Sequence, residues 1–242
     1  MNSSTSAELK HLYQELKNIE LPEDIQKSLS APLLLSVGEQ WKNSEKRILI
    51  VGQETQGWGN DEIKFGSFQS FKNRENSIEE LADAYRHFCF GKNSSHNRSP
   101  FWSAYRSIAK IGNSDLKPDT NILWTNLVRC DYDGKSILTT NENLQNNVGS
   151  KFKGVLKREI EILQPTQIIF FTGPRYDRFL IDEFPDIKME KFNNKFNERT
   201  LSKFLISNNI KSIRTYHPSF LRRSKKWDEI IEEIIKNDFL KD

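Results

Sequence analysis

Cysteine is scarce in this chain of 242 residues, which contains only Cys89 and Cys130. Two thiols cannot supply the four ligands of a cysteine-rich zinc site or of an iron–sulfur cluster. Aromatic or apolar residues flank both cysteines, a setting typical of buried free thiols. Free thiols indicate a reducing compartment, so we expect a cytoplasmic protein without disulfides.

Long apolar runs are also lacking. No stretch approaches the ~20 apolar residues that a helix needs to cross a bilayer. The N-terminus has no basic region followed by an apolar run, so we expect no signal peptide and no membrane partner.

A strong charge of one sign is lacking as well. Lysine and arginine number 36 against 33 acidic residues, a net charge of +3. This balance is too even to predict a nucleic-acid partner, so only a local cluster of basic residues can indicate one. Hydrophobic residues make up 36% of the chain and charged residues 29%, a composition that can fill a core.

Four runs rich in branched or aromatic residues predict strands, and the first and third are apolar almost throughout. A strand that is apolar on both faces is typical of a parallel sheet covered by helices. The predicted strands are Arg47–Val51, Asn121–Thr125, Gln167–Thr172 and Lys211–Tyr216.

Helix-like segments lie between these runs. A capping box opens the segment at Ser77, with Glu80 three residues later, and proline and glycine bracket the segment that begins at Pro100. The predicted helices are Ala7–Ile19, Pro22–Leu35, Ser77–Phe90, Pro100–Ile111, Ser150–Leu163, Arg175–Ile181, Glu198–Ser207 and Trp227–Phe239, and we interpret Lys188–Asn197 as a loop.

Alternating strands and helices predict an α/β fold, a three-layer α/β/α sandwich around a central, mostly parallel four-stranded sheet. We expect a single domain over residues 1–242, with residues 1–40 as a helical extension and residues 47–223 as the core. In open parallel sheets the functional site lies at the carboxyl ends of the strands. Glu54, Asn126, Arg175 and His217 follow the four predicted strands and should therefore converge.

The segment after the last strand predicts contact with nucleic acid. His217 can donate a hydrogen bond or a proton near neutral pH. Phe220 and Leu221 are apolar and stand beside Arg222 and Arg223, an arrangement suited to a wedge in a base stack with phosphate contacts. Each residue also has a simpler interpretation, a structural histidine or a solvated basic face.

Further candidates lie elsewhere in the chain. Asn126 offers a donor and an acceptor that can read a base edge, or it simply forms a turn. Phe65 and Phe68 are candidates for stacking on a base, worth ~1–3 kcal/mol per base, or they are core residues. Glu54 is either a surface carboxylate or a catalytic one, in a loop with glycines that allow close approach of a ligand.

Four segments together resemble motifs of the uracil-DNA glycosylase superfamily, in the right order between Arg47 and Arg223. The resemblance is carried by Gly52-Gln53-Glu54-Thr55-Gln56, by Ser99-Pro100-Phe101-Trp102, by Ile122-Leu123-Trp124-Thr125-Asn126 and by His217-Pro218-Ser219-Phe220-Leu221.

The resemblance implies a role for each matched residue. Glu54 would activate water or stabilise the sugar cation, and His217 would hydrogen-bond the pyrimidine O2 as the base leaves. Asn126 would read the base edge and Leu221 would wedge into the duplex. The remaining residues that we predict at the site are Gln53, Gln56, Phe65 and Phe68 near the base, and Arg175, Ser219, Phe220, Arg222 and Arg223 on the DNA. The resemblance implies DNA as partner, no metal or other cofactor, and a monomer acting in repair or antiviral defence by base flipping.

The departures from the family pattern concern the base. Thr55 stands where the uracil-excising type has proline, Phe220 replaces another proline, and Glu54 is one methylene longer than the usual aspartate. Gln56 replaces a tyrosine that excludes thymine in that type. We therefore expect uracil or a C5-modified pyrimidine, such as the modified cytosines of some phage genomes, to be excised. Two alternatives stay open, a non-catalytic nucleic-acid-binding protein on the same fold and a nucleoside hydrolase.

Overall fold

The computed structural model describes residues 4–58, 64–88, 99–111, 121–207 and 209–236. Cys89, Gly59 and the predicted helix ends at Phe90 and Phe239 lie outside the described residues. None of the helices in the described part of the chain is long and apolar enough to span a membrane.

The described elements alternate between helix and strand, so the α/β class is confirmed. The α-helices are α1 (Ser4–Lys17), α2 (Glu23–Ser28), α3 (Glu39–Asn43), α4 (Phe68–Asn73), α5 (Ser77–Phe88), α6 (Pro100–Ile111), α7 (Glu142–Phe152), α8 (Val155–Leu163), α9 (Asp177–Glu183), α10 (Pro218–Arg223) and α11 (Trp227–Lys236). Short 3-10 helices cover Ile137–Thr139 and Pro174–Tyr176.

The sheet has six strands and is mixed, which corrects the predicted four-stranded, mostly parallel sheet. The strands are β1 (Ile48–Glu54), β2 (Ile122–Val128), β3 (Gln167–Phe170), β4 (Glu190–Lys191), β5 (Leu201–Ile206) and β6 (Ile210–Thr215), in the spatial order β2-β1-β3-β6-β5-β4. β3 pairs in parallel with β1 on one side and with β6 on the other. β5 runs antiparallel to both β6 and β4.

Two predictions were wrong at β4 and β5. The segment Glu198–Ser207, predicted as a helix, forms β5, and the predicted loop Lys188–Asn197 contains β4. Leu201, Phe204 and Leu205 have helical spacing in the sequence. In the structure β5 forms a hairpin with β6 instead, and its buried side chains pack on the sheet. Long-range pairing overrides local periodicity here.

Other helix boundaries differ for local reasons. Gly154 has a φ of +86°, and it separates α7 from α8 where a single helix over Ser150–Leu163 was expected. Helix α2 is shorter than the predicted Pro22–Leu35, because the backbone becomes extended at Leu29. β2 continues to Val128, so Asn126 lies inside the strand rather than after it.

The chain divides into two compact units. The first unit contains Met1–Ser36, Glu54–Phe88 and Asn126–Leu163, and the second contains Val37–Gln53, Cys89–Thr125 and Gln164–Asp242. Most of the sheet belongs to the second unit, where α10 packs on α6 and α11. In the first unit α1 packs on α8 and α5.

A buried polar cluster stabilises the first unit. Glu159 of α8 accepts a hydrogen bond from the hydroxyl of Tyr13 at 2.8 Å and forms an ion pair with Arg129. The Tyr13 oxygen accepts the N–H of Leu35 at 2.8 Å. Burial, and then the charge of Glu159, raise the pKa of Tyr13 well above its usual value. The cluster therefore ties α1 to α8 through groups that must all be satisfied.

Removing one charge of this cluster should be costly. Glu159→Gln leaves the buried guanidinium of Arg129 without its counter-ion, and we expect about 3 kcal/mol of lost unfolding free energy in urea titrations. The control is Glu15→Gln, which breaks the exposed ion pair with Arg158 and should cost less than about 1 kcal/mol. Equal losses in the two variants would contradict the role of the cluster.

Candidate active site

The strand order reverses at β1. The chain passes from β1 to β2 on one side, and β3 then pairs on the other side of β1. Ligands of open α/β sheets bind outside the carboxyl ends of the strands at such a reversal. The carboxyl ends of β1, β3 and β6 lie at one edge of the sheet, because these three strands are parallel.

Hydrogen bonds connect the exits of these strands within the second unit. The side-chain amide of Gln53, at the end of β1, donates to the carbonyl of Thr172 after β3 at 2.7 Å. The N–H of Gly173 donates to the carbonyl of Thr215, the last residue of β6, at 2.9 Å. Gln53, predicted to contact the base, thus also fixes the spacing of two strand ends.

Gly173 lets the β3 exit approach the histidine segment. Its φ is +69°, and a Cβ at this position would lie 3.4 Å from the ring of Tyr216. A larger residue would strain the backbone at this φ, and its Cβ would lie against the residue that precedes His217. Arg175 follows in the 3-10 helix at Pro174–Tyr176 and is exposed.

His217 occupies the N-cap position of α10 and is largely shielded from solvent. Its Nδ1 accepts the backbone N–H of Ser219 at 3.2 Å. A nitrogen that accepts a hydrogen bond carries no proton, so this bond selects the neutral tautomer with its proton on Nε2. Burial, and then the positive charge of Arg223, lower the pKa of His217 to about 4. His217 is therefore a neutral hydrogen-bond donor at physiological pH.

An aromatic ring packs beside the imidazole. Phe101, in the first turn of α6, lies nearly parallel to the His217 ring, with 6.1 Å between the ring centroids and 14° between the planes. Phe101 also makes edge contacts with Trp124 and Phe171. The segment around Phe101 is one of the motifs quoted above, but nothing in the local sequence predicts that this ring faces His217.

The structure separates the two apolar residues of the histidine segment. Leu221 is completely buried, so it is not available as the wedge that the resemblance implies. Phe220 is 40% exposed and stacks on Tyr216 at 4.3 Å. Phe220 is therefore the apolar side chain that this segment presents to solvent.

Basic residues accompany Phe220 on the second unit. Arg222 and Arg223 are exposed at the end of α10, and the guanidinium of Arg222 lies 4.6 Å from the ring centroid of Trp227. Ser219 is half-buried. It contacts His217 by donating its backbone N–H, not through its hydroxyl.

Glu54 and Asn126 belong to the first unit. Oε2 of Glu54 accepts the N–H of Ile137 at 2.8 Å, a bond that orients the carboxylate. Asn126 lies in the C-terminal half of β2 and is buried, with 6% of its surface exposed.

The residues proposed to surround the base differ in exposure. Gln56 is exposed, and its neighbour Thr55 is buried with its hydroxyl 3.3 Å from that of Ser30. Phe65 is nearly buried beneath the guanidinium of Arg74. Phe68 has no exposed surface and packs on Phe71 and Phe152, which is the setting of a core residue.

The described residues contain no group of three or more side chains arranged to hold a metal ion. Cys130 is buried, and burial raises the pKa of its thiol well above the usual value. A thiol in this state is a poor nucleophile.

The pKa of His217 predicts how stability depends on pH. The imidazole of His217 binds a proton near pH 6.5 in the unfolded chain, but only near pH 4 in the folded chain. Stability should therefore fall as the pH drops from about 6.5 to about 4, by about 3 kcal/mol from this group. Urea titrations of wild type and His217→Gln should show a smaller loss in the variant. The exposed His11, replaced by Gln, serves as control and should behave as wild type.

No protein-family model matches the chain, and no curated protein is significantly similar to it.

Proposed function

We propose that the protein is a DNA glycosylase that hydrolyses the N-glycosidic bond of a flipped-out pyrimidine and leaves an abasic site. The observation that carries the proposal is the state of His217, a shielded neutral imidazole whose proton is on Nε2. The Nε2–H of such a group can donate a hydrogen bond to an oxygen on which negative charge develops.

The proposed mechanism assigns a step to each side chain. The bond between C1′ and N1 of the base breaks, its electron pair leaves with the base, and Nε2–H of His217 stabilises the charge at O2. The sugar becomes an oxocarbenium-like cation, which the carboxylate of Glu54 stabilises. Water then adds to C1′, and Glu54 accepts its proton. The scheme needs no metal or redox cofactor.

The fold supports this assignment by its topology. We propose that helices cover both faces of the sheet, as in the three-layer sandwich of the uracil-DNA glycosylase superfamily. The reversal of strand order at β1 supports a binding crevice at the exits of β1 and β3. We further propose a monomeric protein of the cytoplasm whose partner is DNA.

The DNA-binding surface in this proposal lies on the second unit. Phe220 is the wedge that enters the stack as the base leaves it, supported from behind by Tyr216. Arg175, Arg222 and Arg223 are exposed cations suited to phosphate contacts. The base pocket takes uracil or a C5-modified pyrimidine, because Gln56 replaces the tyrosine that excludes C5 substituents in the uracil-excising type.

The catalytic roles are tested by two substitutions. Glu54→Gln keeps an oxygen for the N–H of Ile137 but loses the negative charge, and His217→Ala loses the Nε2–H donor. Each should lower single-turnover formation of abasic sites by about 100-fold or more, on oligonucleotides with uracil, thymine mismatches or 5-modified cytosines.

The matched control is Glu20→Gln, at an exposed carboxylate, which should leave the rate unchanged. Full activity of both site variants would overturn the mechanism. Salt-dependent DNA binding by wild type without abasic product would indicate the binding-protein alternative. Cleavage of free nucleosides without DNA affinity would indicate the nucleoside hydrolase.

The wedge is tested separately. Phe220→Ala should slow excision from duplex DNA by about tenfold while leaving excision from single strands nearly unchanged, because only the duplex must be opened. Ile181→Ala, which removes another exposed apolar side chain, is the control. Leu221→Ala should instead lower the unfolding free energy by about 3 kcal/mol. Equal effects of Phe220→Ala on duplex and single strand would contradict the wedge.

A further inference from the structure

A buried carboxylate in the first unit holds the loop that carries Gln56. Asp131 has no exposed surface. Its Oδ2 accepts the backbone N–H of Gly57 at 2.9 Å and that of Trp58 at 3.4 Å. We refer to residues Thr55–Trp58 as the Gln56 loop.

The same carboxylate is held from the other side. Oδ1 of Asp131 accepts the N–H of Gly134 at 2.9 Å, so both oxygens are used and backbone donors share the charge. Backbone N–H groups that converge on one anion form a well-defined binding concavity, and here the anion is part of the chain. The carboxylate thus connects the Gln56 loop to the turn at Gly134.

A second link reinforces the first. The N–H of Asp131 donates to Oγ of Ser30 at 3.0 Å, and the N–H of Ser30 donates to the carbonyl of Asp131 at 2.9 Å. Oγ of Ser30 also lies 3.3 Å from the hydroxyl of Thr55. Both ends of the Gln56 loop are therefore anchored, Thr55 through Ser30 and Gly57 through Asp131.

The ring of Trp58 completes the anchoring. It is buried and makes an edge contact with Phe88 of α5, with 5.0 Å between the ring centroids. Gly57 takes a φ of +72°, a conformation that glycine adopts without strain. Between these fixed points only Gln56 is exposed.

We infer that Asp131 is a positioning residue that determines base selectivity, by fixing the Gln56 loop and therefore the space next to C5 of the pyrimidine. The inference rests on the proposed function, in which the residue at position 56 faces that edge of the base. A carboxylate suits this role because it can accept hydrogen bonds on both oxygens at once. An asparagine has only one acceptor oxygen, and its amide hydrogens would face the N–H groups on the other side.

The test compares excision of uracil and thymine, each opposite guanine, since the two bases differ only by the C5 methyl group. In Asp131→Asn the ratio of the two excision rates should move toward one by on the order of tenfold. Asp133→Asn is the matched control, because Asp133 is exposed, lies two residues away and loses the same charge. General destabilisation would lower both rates together and leave the ratio unchanged.

A gentler variant and a direct measurement accompany this test. Ser30→Ala removes the bridge between Asp131 and Thr55 and should shift the ratio of excision rates in the same direction. This variant tests the inference if Asp131→Asn does not fold. Amide hydrogen exchange at Gly57 and Trp58 should be faster in Asp131→Asn than in wild type, and unchanged in Asp133→Asn.

The outcomes separate the two proposals. A wild-type protein that excises neither these bases nor any other base of the panel refutes the proposed function, and the inference with it. An active wild type whose uracil-to-thymine ratio is the same in Asp131→Asn, Ser30→Ala and Asp133→Asn refutes the inference alone.

Discussion

The parallel pairing of β3 with β1 and β6 is the constraint on which the proposed site depends. It places three strand exits at one edge of the sheet, although they are far apart in the sequence. The bonds from Gln53 to Thr172 and from Gly173 to Thr215 then fix their spacing. Because the chain leaves β6 directly into His217, the position of the imidazole follows from the sheet.

The electrostatics of His217 fit leaving-group stabilisation better than proton transfer. A general acid needs a pKa near the working pH, whereas burial and the charge of Arg223 bring that of His217 to about 4. The N–H of Ser219 on Nδ1 leaves Nε2–H as the donor. The charge of Arg223 adds to the effect of burial, and both lower the pKa of the imidazole.

The strands with strong local signals could be predicted from the sequence, and the hairpin could not. β1 and β3 are runs of branched apolar residues, and their parallel pairing agrees with that pattern. β5 has helical spacing and becomes a strand only through its pairing with β6. The candidate site shows the same division. The motif identified His217, but the burial of Leu221, the exposure of Phe220 and the loop contacts of Asp131 depend on packing that no short motif encodes.

The most direct test of the central claim is the release of free base from DNA. Wild-type protein would be incubated in excess with oligonucleotides that carry uracil or a C5-modified pyrimidine, and the released base and the abasic strand would be quantified by mass spectrometry. The account predicts that free base and abasic sites form in equal amounts for at least one pyrimidine. Tight DNA binding with no released base from any substrate would contradict it.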